Sequence, residues 1–129
     1  MPSSPFKNIE KEDLDFEISF YEGLLKDNPN FISVLHALSD VYTKKGLFEK
    51  GLITDRKLAQ LRPDDPLVFY NLACDYSLLN KIENSFSCLK QALDLGYDDF
   101  DYLEKDPDLV NLRQDPCYKK LFLKIKKDK

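Results

Sequence analysis

The sequence predicts an all-α protein, a short stack of helix-turn-helix repeats closed by capping helices, and two patterns carry that prediction. In the first, Phe69, Leu72, Ala73 and Tyr76 recur at helical spacing up to a break at Leu79-Asn80-Lys81. Ile82, Phe86, Leu89, Ala92 and Leu93 then resume the pattern. In the second, shifting the chain by 34 residues lays Leu35 on Phe69, Leu38 on Leu72, Tyr42 on Tyr76, Phe48 on Ile82, Leu52 on Phe86, Leu58 on Ala92 and Leu61 on Leu95. One helical hairpin is therefore written twice.

Composition fits a folded chain of one domain. With 129 residues, 43% of them hydrophobic and 33% charged, there is enough apolar material for an ordinary core. No apolar run approaches the roughly 18 residues needed to cross a bilayer, and MPSSPFKNIEKED has no apolar core of a secretory signal. A cytoplasmic address and no membrane partner are expected. Cys74, Cys88 and Cys117 are odd in number and lack CxxC spacing, so they read as reduced thiols. The net charge of -4 argues against nucleic acid as a partner.

Residues 1–11 read as a loose lead-in with two prolines and two serines. In 12–29, Leu14, Ile18, Tyr21, Leu24 and Leu25 share one face of a helix that Asn28-Pro29 ends. This helix has no partner before it and is expected to cap the stack. The repeat over 30–63 opens with Asn30 as a candidate N-cap and turns at Lys44-Lys45-Gly46, where lysines suit the helix dipole and glycine the left-handed terminus. The repeat over 64–97 opens with Asp65-Pro66, an acid cap followed by a first-turn proline. Residues 98–129 form short helices begun at Asp99, Asp106-Pro107 and Asp115-Pro116. In the last of them Tyr118, Leu121, Phe122 and Ile125 face the core opposite lysines.

Leu35, Leu38, Tyr42, Gly46, Phe48, Gly51, Leu58 and Pro63, then Phe69, Leu72, Ala73, Tyr76, Ser85, Leu89 and Ala92, follow a known pattern of large and small residues. The chain resembles the tetratricopeptide repeat family. It departs from that pattern at Leu35 and Phe69, where tryptophan is frequent, at Asp55, where an aromatic is usual, and at Tyr97, which replaces the closing proline. The run through Asp106-Pro107-Asp108-Leu109, Leu112-Arg113 and Asp115-Pro116 resembles the tail of bacterial members. The resemblance implies a right-handed superhelix whose first helices line a concave, protein-binding side.

On that basis Ser33, His36, Asp40 and Thr43, and one repeat later Leu67, Tyr70, Cys74 and Ser77, are the candidate partner contacts, with Asn71 beside them. Leu67 and Tyr70 offer apolar contact, while His36, Asp40 and Asn71 offer polar contact to a protein or peptide. Asp40 would repel a carboxylate, so a basic or neutral segment suits this surface. The competing reading is that the C-terminal helices cover the same surface. A self-associating unit stacking through its terminal helices, and hence a homo-oligomer, is the alternative function. A small enzyme or metal protein is the second.

The chemistry for that second alternative is thin. His36 and Asp40 stand one helical turn apart, yet no nucleophile motif accompanies them and there is no second histidine for a usual zinc set. The acids between Asp94 and Asp108 lack calcium-loop spacing. The lysine-rich end is short for a membrane-surface helix. No cofactor, no metal and no catalysis are expected.

Overall fold

The turn inside the first repeat hairpin and the turn inside the second are built alike, atom for atom. At Gly46, whose φ is 82°, the backbone N–H of Gly46 donates to Thr43 O and that of Leu47 to Tyr42 O, at 3.0 and 2.8 Å. One period later Asn80 takes φ 58°, Asn80 donates to Ser77 O at 2.9 Å and Lys81 to Tyr76 O at 2.8 Å. This paired closure satisfies carbonyls that a helix end leaves open, and it requires a residue that accepts the left-handed region. Glycine does so freely and asparagine better than most residues. Gly96, at φ 110°, ends the second hairpin in the same way.

The computed structural model describes residues 5–128 and is all-α. The helices are α1 (Pro5–Asp27), α2 (Ile32–Lys44), α3 (Phe48–Leu61), α4 (Pro66–Leu78), α5 (Ile82–Asp94), α6 (Phe100–Lys105), α7 (Val110–Arg113) and α8 (Pro116–Asp128). A 3-10 turn, Pro107–Leu109, lies between α6 and α7. No helix among the described residues is long and apolar enough to cross a membrane. The chain divides into two compact units, Met1–Leu61 and Arg62–Lys129.

In the first unit α2 packs on both α1 and α3. Leu35, Leu38 and Tyr42 are buried as their spacing requires, with Leu52, Leu58 and Gly51 buried on α3. Tyr42 donates its hydroxyl to Glu22 Oε2 of α1 at 2.7 Å, and Lys45 pairs with Asp15, so α1 is tied to α2 by polar as well as apolar contacts. Two sequence expectations shift here. The helix of α1 begins at Pro5, inside the expected lead-in: proline suits a first helical turn, and Lys7, Glu10, Lys11 and Glu12 are good helix formers. The rest of that lead-in, residues 1–4, lies outside the described residues. The N-cap of α2 is Phe31 rather than Asn30, with no side-chain capping bond. The turn N–H of Phe31 is instead held by Asn28 O at 3.2 Å.

In the second unit α4 packs on α5, and the 3-10 turn and α7 pack on α4 in turn. Its core joins Tyr70, Ala73, Cys74, Leu89, Ala92, Leu103, Leu109, Leu112 and Tyr118. Ser85, one period after Gly51, donates its hydroxyl to Ala73 O at 2.6 Å, which keeps α5 close to the backbone of α4. Aspartate opens the elements as the sequence implies. Asp65 accepts from Leu67 N, Asp99 from Tyr102 N, Asp106 from Asp108 N and Asp115 from Cys117 N.

Candidate functional site

The candidate contacts fall on the two first helices, and each helix places its own set differently. On α2, Ser33 and Asp40 are exposed, while His36 and Thr43 are half-buried. Asp40 turns its carboxylate to Lys44 Nζ at 2.9 Å, a one-turn surface pair, rather than serving as an orienter for His36. That pairing, by hydrogen bond and then by charge, holds the Lys44 ammonium above its usual range. Thr43 donates to Ser39 O at 3.2 Å and so spends its hydroxyl on its own helix.

On α4 the equivalent set is largely enclosed. Leu67 stays exposed and Asn71 half-buried, but Tyr70 is 3% exposed, Cys74 7% and Ser77 0%. Tyr70 Oη donates to Asp106 Oδ2 at 2.6 Å, and Cys74 Sγ donates to the same oxygen at 3.6 Å. The Tyr70 ring stacks on Tyr97 with centroids 4.2 Å apart and an interplanar angle of 6°. Ser77 Oγ accepts from Leu112 N at 3.2 Å, and Ser77 O accepts from Asn111 Nδ2 at 2.9 Å. For Tyr70, Cys74 and Ser77 the open surface expected from spacing is therefore a seam closed by the chain's own residues between Tyr97 and Leu112.

Burial raises the Tyr70 hydroxyl and the Cys74 thiol well above their ordinary values, and the Asp106 carboxylate adds to both shifts. Both groups accordingly remain protonated donors to that carboxylate. Asp106 has its second oxygen on Asp108 N at 2.9 Å, and its carbonyl accepts from Arg113 Nη1 at 2.7 Å. Arg113 also donates to Leu103 O at 3.0 Å, so one guanidinium braces both ends of the turn. Cys74, Asp106 and Asp108 bring possible ligand atoms within 4.8 Å of one another. Both Asp106 oxygens already accept from protein donors, and a thiol with two hard carboxylates is a mixed donor set with no clear metal preference.

The polar bonds define this seam, but apolar burial holds it. Leu103, Leu109 and Leu112 are all fully buried, and at about 1.5–3 kcal/mol per buried leucine they outweigh hydrogen bonds worth about 1 kcal/mol each. Sequence reasoning does not mark Asp106, Asn111 and Arg113 as the residues that close over α4, because nothing local links them to a helix one period earlier. A signal is present all the same. Between Pro66 and Leu78 the only charge is Asp75, whereas α2 carries Asp40 and Lys44. A helix so poor in charge is one that is covered on most sides.

No protein-family model matches the chain. Among curated proteins it is 36% identical over 76 residues to a chloroplastic protein of Arabidopsis thaliana. That match takes in 57% of this chain and 23% of the plant protein, so the chain spans about a quarter of its relative. Among solved structures it is similar to MamA 41-end from Desulfovibrio magneticus RS-1, with TM-score 0.65 and 16% identity over 94% of this chain and 71% of that one. A MamA RS-1 ArsTM double mutant gives TM-score 0.64 and 18% identity over 80% and 62%. At such identities the likeness is one of fold. It supports a tetratricopeptide-type helical repeat, in agreement with the 34-residue period and the duplicated turns.

Proposed function

We propose that the chain is a non-catalytic protein-interaction scaffold that binds a peptide segment on the outward face of α2, through Ser33, His36, Asp40 and Thr43. One observation carries the reading. The equivalent face of α4 already binds a peptide segment, the chain's own turn around Asp106. A first helix of this repeat is thus a surface on which a short segment can be held by one buried polar anchor and neighbouring leucines.

The substitutions between the two faces define the partner's chemistry. Tyr70 and Cys74 present donors and receive an acid, whereas their counterparts His36 and Asp40 include an exposed carboxylate. A segment with a lysine, arginine or amide at that register suits α2, and an acidic one does not. The reading assigns no reaction to the chain.

Selection of random peptides on the immobilised chain tests this. Peptides carrying Lys or Arg are expected to be enriched on the wild type and to lose at least tenfold in affinity on His36→Ala/Asp40→Lys. Enrichment unchanged by that double variant, with folding confirmed by circular dichroism, overturns the α2 assignment.

A further inference from the structure

A second surface, independent of the α2 face, lies on α1. This helix has two apolar sides. Leu14, Ile18, Tyr21 and Leu25 are half-buried on the side tied to α2, but Phe16, Phe20 and Leu24 recur every four residues on another side and are 69%, 53% and 37% exposed. The Phe16 and Phe20 rings stack on each other with centroids 6.3 Å apart, and Tyr21 closes edge-on to Phe20 at 5.8 Å. Acids frame this stripe. Asp13 lies two turns before Phe20 and Asp27 two turns after it, both exposed, and Glu17 stands one turn before it. Lys26 projects from a different side of the helix.

The chain carries the complement of that surface at α8. Tyr118, Leu121, Phe122 and Ile125 occupy the inner side, and Leu123 stands on the outer side, 67% exposed. Around it, one turn away in each direction, are Lys119, Lys120, Lys126 and Lys127, all exposed. An apolar residue ringed by lysines matches an apolar stripe framed by acids.

We infer that α1 of one copy receives α8 of a second copy, with Leu123 seated on the Phe16–Phe20–Leu24 stripe and the lysines against Asp13, Glu17 and Asp27. Pairing α1 with α1 would set acids on acids, and pairing α8 with α8 would set lysines on lysines, so the charges select the unlike pair. Each copy offers one donor and one acceptor, so the contact either closes reciprocally about a twofold axis or runs head to tail into a ring or an open chain. The patch is small, so the contact is weak, rises with concentration and is screened by salt.

Sedimentation of the full chain over rising concentration, at low and high salt, reads this directly. The wild type is expected to exceed monomer mass at low salt and to lose at least tenfold in association constant at high salt. Phe16→Ser/Phe20→Ser, which lacks the acceptor, and Lys120→Glu/Leu123→Ser, which lacks the donor, should each remain monomeric. Mixed together they should give a dimer and nothing larger, because each retains the half that the other lacks. Asp13→Lys/Asp27→Lys keeps every apolar residue, which guards against loss of folding, and should also be monomeric. A wild type that stays monomeric, a donor-deficient variant that associates as the wild type does, a mixture no heavier than its parts, or undiminished association of Asp13→Lys/Asp27→Lys each overturns the inference.

Discussion

The first helix of each repeat, α2 or α4, carries the same spacing and ends in the same turn, yet one shows polar side chains to solvent and the other is sealed. His36 corresponds to Tyr70, Asp40 to Cys74 and Thr43 to Ser77. In each pair the α4 residue is the buried one. The repeat period therefore fixes the backbone path and the inward face, while the outward face is free to be used in different ways. In the second unit that freedom is spent on an internal segment. Tyr70 and Cys74 are donors that need an acceptor once buried, and Asp106 supplies it.

This comparison breaks hardest at the leucines under the seam. Leu112→Ala should cost about 2–5 kcal/mol, because a fully buried side chain is lost and the site refills only partly. Urea denaturation reads the total, and amide hydrogen exchange should show the loss in α4 with the amides of α2 unaffected. If α2 loses protection equally, the seam is not a local feature of the second unit. The next effect is polar. Asp106→Ala leaves the Tyr70 hydroxyl and the Asp108 N–H without their acceptor, for an expected cost of about 1–3 kcal/mol. Asp106→Asn, which keeps an acceptor oxygen, should recover part of that in the same denaturation assay.

The smallest effect belongs to α2. Asp40→Ala removes only an exposed pair with Lys44 and should change stability by less than about 0.5 kcal/mol. Its sign follows from the raised Lys44 value. The pair's contribution is complete below the ammonium's ordinary range near 10.4 and disappears as pH rises through the higher folded value. Thermal melts of wild type and variant should thus converge in strong alkali. Divergence there would place Asp40 in some interaction beyond this pair.

How much of this the sequence disclosed follows from the range of the interactions involved. Periodicity locates the helical hairpins, because a helix that buries one side repeats its apolar residues every three or four positions, as Leu35, Leu38 and Tyr42 or Leu72 and Ala73 do. Turn chemistry locates Gly46 and the aspartate-proline starts, because a cap acts on the next few residues. Reading Asp106 as a cap is sound as far as it goes, since Asp108 N does bond to it. Its other oxygen meets Tyr70 across 36 residues of chain, and no local pattern encodes a pairing of that span. The absence of a usable cap at Asn30 and the helical start at Pro5 are boundary effects, where competing local bonds are nearly equal in energy.

The enclosure of Cys74 also equips the molecule with a clock. Cys117 is exposed on α8 and Cys88 is half-buried, so the three thiols grade from open to shut within one unit. A small alkylating reagent meets Cys117 at its intrinsic rate, but it meets Cys74 only during the intervals when the turn around Asp106 has lifted from α4. The ratio of the two labelling rates is then the fraction of time that the seam stands open. No cysteine need be engineered to record it.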